Sequence, residues 1–211
     1  MVAWGGTALL VSPAVRLVGD SSSVGIRFLE QVALWLLCGG VIGIVVFWEK
    51  RSLDSLWVRP FEWASLVWAG VLVVGTIVLI FPATEWIRSR VGLAGYAAGM
   101  ETALVDPMWL RVFAVLTAGV VEEVLFRGYA VTRLARLTGS VTWAVVLSSA
   151  VFAALHLPVW GGGPSLAFFV GGLATTTFFV RRRDLLAMII AHVAIDAWAL
   201  VITPAFSRWW T

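Results

Sequence analysis

At 211 residues, 61% of them hydrophobic and only 13% charged, the chain is too apolar for an ordinary water-soluble domain, where about half the residues are apolar and about a quarter charged. A mean hydropathy of +0.96 and recurring runs of about eighteen or more nearly uncharged residues predict an all-α, polytopic transmembrane helical bundle of one domain, without a soluble module. The net charge of +3 comes from basic residues scattered between apolar runs rather than from a continuous stripe. That pattern argues against nucleic acid as a partner and for topology signals beside membrane lipids.

Residues 1–26, with Pro13, Arg16, Asp20 and the serines Ser21 to Ser23, read as an interfacial lead. No basic segment precedes an apolar core there, so a cleaved signal peptide is not expected. Residues 27–106 hold the first two predicted spans and their connection. The first runs over 28–48 and is closed by EKRSLDS; the single cysteine, Cys38, reads as a small buried hydrophobe, and Gly39 and Gly43 have the spacing of a helix-packing face. The second covers 63–81, with Pro82 as its stop, and a longer connection follows over 83–106.

Residues 107–202 form the predicted helical core. Pro107 suits the first turn of a helix running through AGVVEEVLFRG. A turn at Gly139 leads to a span over 140–157, which Pro158 and GGGP close. Further spans over 165–180 and 185–202 flank RRRD, and residues 203–211 read as an interfacial tail whose tryptophans suit the headgroup region. About six spans result. If they alternate, Lys50, Arg51, Arg59, Arg133, Arg136 and Arg181 to Arg183 share one face, against Arg16, Arg27, Arg88, Arg90 and Arg208 on the other. The richer face is expected in the cytoplasm and both termini outside. Gly171 and Gly172 read as packing positions that also let a substrate chain come close, and the RRR run as a topology anchor able to touch anionic lipid.

Charged groups at the bilayer centre cost roughly 2.5–3.5 kcal/mol each on insertion scales, so those that occur face the bundle interior and serve a purpose. Few ionisable residues fall well inside spans: Glu122, Glu123, Arg127, His156, His192 and Asp196, with both histidines of the chain among them. Glu123 and Arg127 stand at i and i+4 with the acid first, the favoured order for a helical ion pair. Glu122 lies about 100° around the helix and lacks that partner. A carboxylate in an apolar site beside a second carboxylate suits a general base working near neutrality.

Glu122 lies seventeen residues before Gly139 and His156 seventeen after it, so an antiparallel hairpin would bring them level. Seventeen helical residues rise about 25 Å, which sets the site far from the turn; alternatively YAVTRLARLTG extends beyond the membrane as an amphipathic stretch and the site is shallower. His192 and Asp196, again i and i+4, face one way on the last span.

These residues form a pattern. EEVLFRG fits EExxxR, FAALH at Phe152 to His156 fits FxxxH, and HVAID at His192 to Asp196 fits HxxxN/D. Three motifs in that order on membrane helices resemble the CPBP family, the CAAX-type prenyl endopeptidases and bacteriocin-processing proteins also called Abi intramembrane proteases. The first two spans carry no motif. The resemblance implies a multi-pass protein, expected in a prokaryotic cell membrane, that hydrolyses a peptide bond of a membrane-associated or lipidated peptide or protein, a prenylated CAAX tail among them.

It further implies that Glu122 activates water, that His156 helps hold it, that His192 and Asp196 stabilise the oxyanion, and that Glu123, Arg127 and Phe152 support the site. An asparagine at the last motif position could donate to an oxyanion, whereas ionised Asp196 cannot. Either Asp196 carries a proton or it orients His192 as an acceptor, and the second is favoured. The residues fix no cofactor: a metal-free glutamate and histidine water site and a Zn2+ held by Glu122, Glu123, His156 and His192, as in a metalloprotease, both stay open, although HExxH is absent. Two other classes compete: a proton-coupled transporter, which would more often show repeats with broken helices, and a non-catalytic immunity or assembly factor on the same scaffold. The oligomeric state is left open.

Overall fold

The computed structural model describes residues 23–204. Most of the expected interfacial lead, and the tail FSRWWT with its tryptophans, lie outside the described residues. Seven helical rods, with one short 3-10 turn over Leu53–Leu56, make up the helical part of these residues: α1 (Val24–Trp48), α2 (Trp63–Arg90), α3 (Ala97–Leu104), α4 (Met108–Thr138), α5 (Val141–Trp160), α6 (Gly162–Arg182) and α7 (Leu185–Ile202). There is no strand among the described residues. Five rods are long and apolar enough to cross a membrane, and α3 with α4, bent by 119° at their junction, makes up to six spans. The protein is thus a multi-pass integral membrane protein built as an all-α bundle.

Two prolines expected to stop helices do not. Pro82 lies inside α2, just after the rod widens to π geometry over Thr76–Ile80, so that the Phe81 N–H bonds to the Thr76 carbonyl. A wide turn is one of the ways a helix absorbs the missing donor of a proline. Pro158 lies inside α5, which continues to Trp160 and ends at Gly161, whose φ of 76° only glycine adopts freely. The connection 83–106 is correspondingly mostly helical. At the N-terminus α1 starts earlier than expected, because the Ser23 side chain accepts the Ile26 N–H at 3.2 Å.

The expected turn at Gly139 is present, with φ 65° closing α4 before Ser140 caps α5. The hairpin register centres there. Phe126 and Phe152, equidistant from Gly139, meet edge to face at 5.2 Å, and Ser148 donates its hydroxyl to the Phe126 carbonyl at 3.0 Å. Cys38 is buried as expected. Gly39 and Gly43, however, receive no other helix among the described residues: none of their atoms comes within 4 Å of a Cβ built at Gly39, and only Phe47 of the same rod approaches Gly43. Their spacing faces outward. Gly172 does pack, against Ser149 of α5, and Gly171 lies 3.5 Å from Ile80.

Interhelical contacts sort the loops by face as the alternation required. Arg133 ties Glu49 and the Ser55 carbonyl, the Leu185 N–H donates to the Trp57 carbonyl, and Asp184 accepts from Ser65 at 2.8 Å. These join the loops after α1, α4 and α6 into one basic face. The hydrogen bond from Arg133 holds the Glu49 carboxyl below its usual range. On the opposite face Arg27 pairs with Asp106, Arg88 donates to the Leu93 carbonyl, and Gly163 touches the Ala94 carbonyl so closely that a Cβ would lie 2.0 Å from it.

Candidate active site

Glu122 and Glu123 sit in the middle of α4, 1% and 2% exposed, where the rod runs in π geometry over Ala118–Val131. Such wide turns recur at functional sites. One turn earlier, Gly119 lets α7 press against α4: a Cβ there would lie 2.3 Å from Val193 Cγ2 and 3.1 Å from the Val193 backbone nitrogen. That close approach sets His192, the neighbour of Val193, beside both glutamates.

The His192 Nδ1 lies 2.8 Å from Glu123 Oε1, and its Nε2 lies 3.8 Å from Glu122 Oε2 and 3.6 Å from Asp196 Oδ2. Glu123 Oε1 also receives the Arg127 guanidinium at 3.0 Å, an ionic contact without the directionality of a hydrogen bond. One carboxylate oxygen therefore holds a cation from its own helix and a histidine from α7. The expected i, i+4 pair of Glu123 and Arg127 is present. Of the two roles open to Asp196, orienting His192 is the favoured expectation, and here the structure differs: Glu123 makes the hydrogen bond at Nδ1, and Asp196 stands 3.6 Å from Nε2. An i, i+4 partner on α7 loses to a carboxylate that tertiary packing brings nearer.

The FxxxH pair works as a unit on α5. The Phe152 ring lies under the Arg127 guanidinium, 4.5 Å from centroid to Cζ, a favourable cation–π geometry away from water. Its carbonyl sits 2.6 Å from His156 Nδ1. Because a carbonyl only accepts, Nδ1 carries the proton and Nε2 offers a lone pair. The imidazole is held between Phe152 and Phe168, with ring centroids 4.6 and 4.2 Å away. His156 Nε2 and both Glu122 oxygens are buried with no hydrogen-bond partner among the described residues. The two side chains expected to be level across the hairpin thus share its register without bonding to each other. Both keep open polar atoms, which buried groups rarely do without a role.

A cavity of about 730 Å³ reaches His156, while Glu122 lies behind its wall, next to the lining residue Glu123. Glu123, Arg127, His156, His192 and Asp196 supply one polar wall, and apolar side chains of α2, α6 and α7 most of the remainder. Gly171 and Gly172 line it, in keeping with the close approach expected of them. Such a chamber, greasy with few convergent polar groups, suits a largely apolar chain presenting one polar bond. It extends to Thr84 and Tyr96, toward the face opposite the basic loops. Burial pushes the Tyr96 hydroxyl up to about 12, so it stays protonated. Tyr96 and Phe168 were not singled out from sequence, since the α5–α6 hairpin at Gly161 alone carries Phe168 to His156. Gly119 carried a faint signal, as a small residue one turn before the acids.

The zinc expectation can be weighed against the donor arrangement. Among the described residues no three His, Cys, Asp or Glu side chains converge as a metal's ligands would. The hydrogen bonds at His156 Nδ1 and His192 Nδ1 are of the kind that orient a metal-binding imidazole, and His156 Nε2 and the Glu122 oxygens keep open lone pairs.

Comparison with known proteins agrees in the same region. Residues 104–198 match the family model described as Type II CAAX prenyl endopeptidase Rce1-like, a segment that includes all three motifs. No curated protein and no solved structure matches the chain.

Proposed function

We propose that the chain is an intramembrane endopeptidase of the CPBP/CAAX type, whose Rce1-like family model residues 104–198 match, and that Glu122 activates its water. The observation that carries this reading is the pair of open, buried acceptors, the Glu122 carboxylate and His156 Nε2, beside a histidine fixed by Glu123. In the proposed reaction a water held by Glu122 and His156 Nε2 gives its proton to Glu122, and its oxygen attacks the peptide carbonyl carbon. The carbonyl oxygen becomes an oxyanion that His192 Nε2–H stabilises, with Asp196 balancing the charge on the ring. Glu122 then passes the proton to the amide nitrogen, the C–N bond breaks, and a carboxylate and an amine leave. Glu123, Arg127 and Phe152 hold the geometry. A general base of this kind contributes about 10²- to 10⁴-fold in rate.

The apolar chamber supports a membrane-embedded or lipidated substrate, and the family points to a prenylated tail. Purified protein in detergent or nanodiscs should cleave a lipidated reporter peptide, and Glu122→Gln should lower kcat by at least about 100-fold. Persistent cleavage in that variant would remove Glu122 from the mechanism. Cleavage by neither protein, for any lipidated or membrane peptide tried, would favour a non-catalytic role. In the same assay the metal-free mechanism predicts activity after exhaustive chelation; loss on chelation with recovery on zinc add-back would establish a metalloprotease instead.

A further inference from the structure

The basic face holds a second cavity, of about 260 Å³, which shares no lining residue with the first. It lies beneath Trp57, between the loop after α1, the end of α4 and the end of α6. Val131, Ala135, Val141 and Val180 give it an apolar lining, and Arg136 and Arg183 stand at its rim. Liquid water occupies about 30 Å³ per molecule, so the space exceeds what one or two bridging waters would fill.

The arginines of this face divide into committed and uncommitted. Arg133 is tied to Glu49 and Ser55. The one acid of the RRRD turn, Asp184, is used by Ser65 and by the Ala187 N–H at 3.0 Å. Neither Arg136 nor Arg183 has a carboxylate within ion-pair distance among the described residues. Arg183 sits in the left-handed region at φ 53°, ending α6 with its guanidinium 5.2 Å from the Trp57 ring centroid. Two unpaired guanidinium groups over a greasy recess, at the ends of membrane helices, form a surface with two chemistries.

We propose that this cavity binds the headgroup region of an anionic phospholipid, its phosphate on Arg136 and Arg183 and the adjoining glycerol and upper acyl carbons against Val131, Ala135, Val141 and Val180. Free phosphate would satisfy the arginines and leave the apolar lining wet; a zwitterionic lipid would fill the lining and bring no net charge. The anionic lipid alone answers both halves. The bound lipid would also brace the Trp57 loop, whose carbonyl receives the Leu185 N–H at the start of α7, the rod that carries His192.

The test is binding and is independent of whether the protein cleaves peptides. Full-length protein in neutral detergent is titrated with short-chain phosphatidylglycerol, the same-chain phosphatidylcholine, and inorganic phosphate, and bound adducts are counted by native mass spectrometry. Phosphatidylglycerol should bind best. Arg136→Gln and Arg183→Gln should each weaken it about fivefold, in line with the attraction expected per basic residue. Arg181→Gln, in the same triad but outside the cavity, should leave it unchanged. Val141→Trp, which fills the mouth with every charge retained, should abolish it. The proposal is overturned by equal binding of the two lipids, by equal binding of inorganic phosphate, by an Arg181→Gln effect as large as that of Arg136→Gln, or by full binding in Val141→Trp.

Discussion

Glu122 and Glu123 are adjacent, equally buried and chemically alike, yet their surroundings give them different work. Glu123 pairs ionically with Arg127 and accepts from His192, so its removal leaves a buried cation and a half-buried ring without their partner. Breaking such a pair from one side costs about 3–5 kcal/mol. Glu122 has no hydrogen bond to lose. Glu123→Ala should therefore lower the thermal unfolding temperature in detergent markedly, whereas Glu122→Gln should leave it close to the parent while removing activity. Equal melting of the two variants would show that Glu123 does not carry the site's structure. The adjacency of the acids and the i, i+4 spacing to Arg127 are visible in the sequence. The bond from Glu123 to His192 is not, because it joins residues on different rods.

The site depends on two rods lying unusually close, α4 and α7, and one missing side chain permits it. At Gly119 even a methyl group would collide with Val193. Overpacking of this kind typically costs about 1–3 kcal/mol, and here it would also lift His192 away from Glu123. Gly119→Ala should thus lose both stability and proteolysis, and adding Val193→Ala, which removes the colliding Cγ2, should recover part of each. Unfolding and cleavage measured on the two single variants and the double variant give the coupling. No recovery would mean that the approach of α7 is set elsewhere. The same scale explains the prolines: local rules end a helix at Pro82 or Pro158, but the wide turn over Thr76–Ile80 and the packing of α5 carry both rods through.

For the molecule as a whole, the charges and the chamber lie on opposite sides. The loops after α1, α4 and α6 gather the basic residues, while the large cavity extends toward Thr84 and Tyr96 at the other ends of the rods. If the basic face lies in the cytoplasm, as the positive-inside rule requires, the chamber opens toward the other side of the membrane. Cells carrying Ser89→Cys, exposed on the chamber side, should label with a membrane-impermeant maleimide from outside. Thr138→Cys, exposed on the basic side, should label only after permeabilisation; the native Cys38 is buried and gives little background. The reverse pattern would invert the orientation and place the chamber at the cytoplasmic surface.

Composition and spacing are enough for the class of the protein, the approximate number of spans, the turn at Gly139 and the short set of ionisable residues inside the bundle. These follow from local quantities: apolar run length, the helical period, glycine's access to positive φ, and the cost of charge in hydrocarbon. Packing between rods sets the rest: Glu123 rather than Asp196 bonds His192, Phe168 and Tyr96 line the chamber, no other described helix packs on Gly39 and Gly43, and two prolines sit within helices. Each of these depends on the distance between rods far apart in the chain, and a helical repeat fixes which way a side chain faces without fixing what another helix brings to meet it.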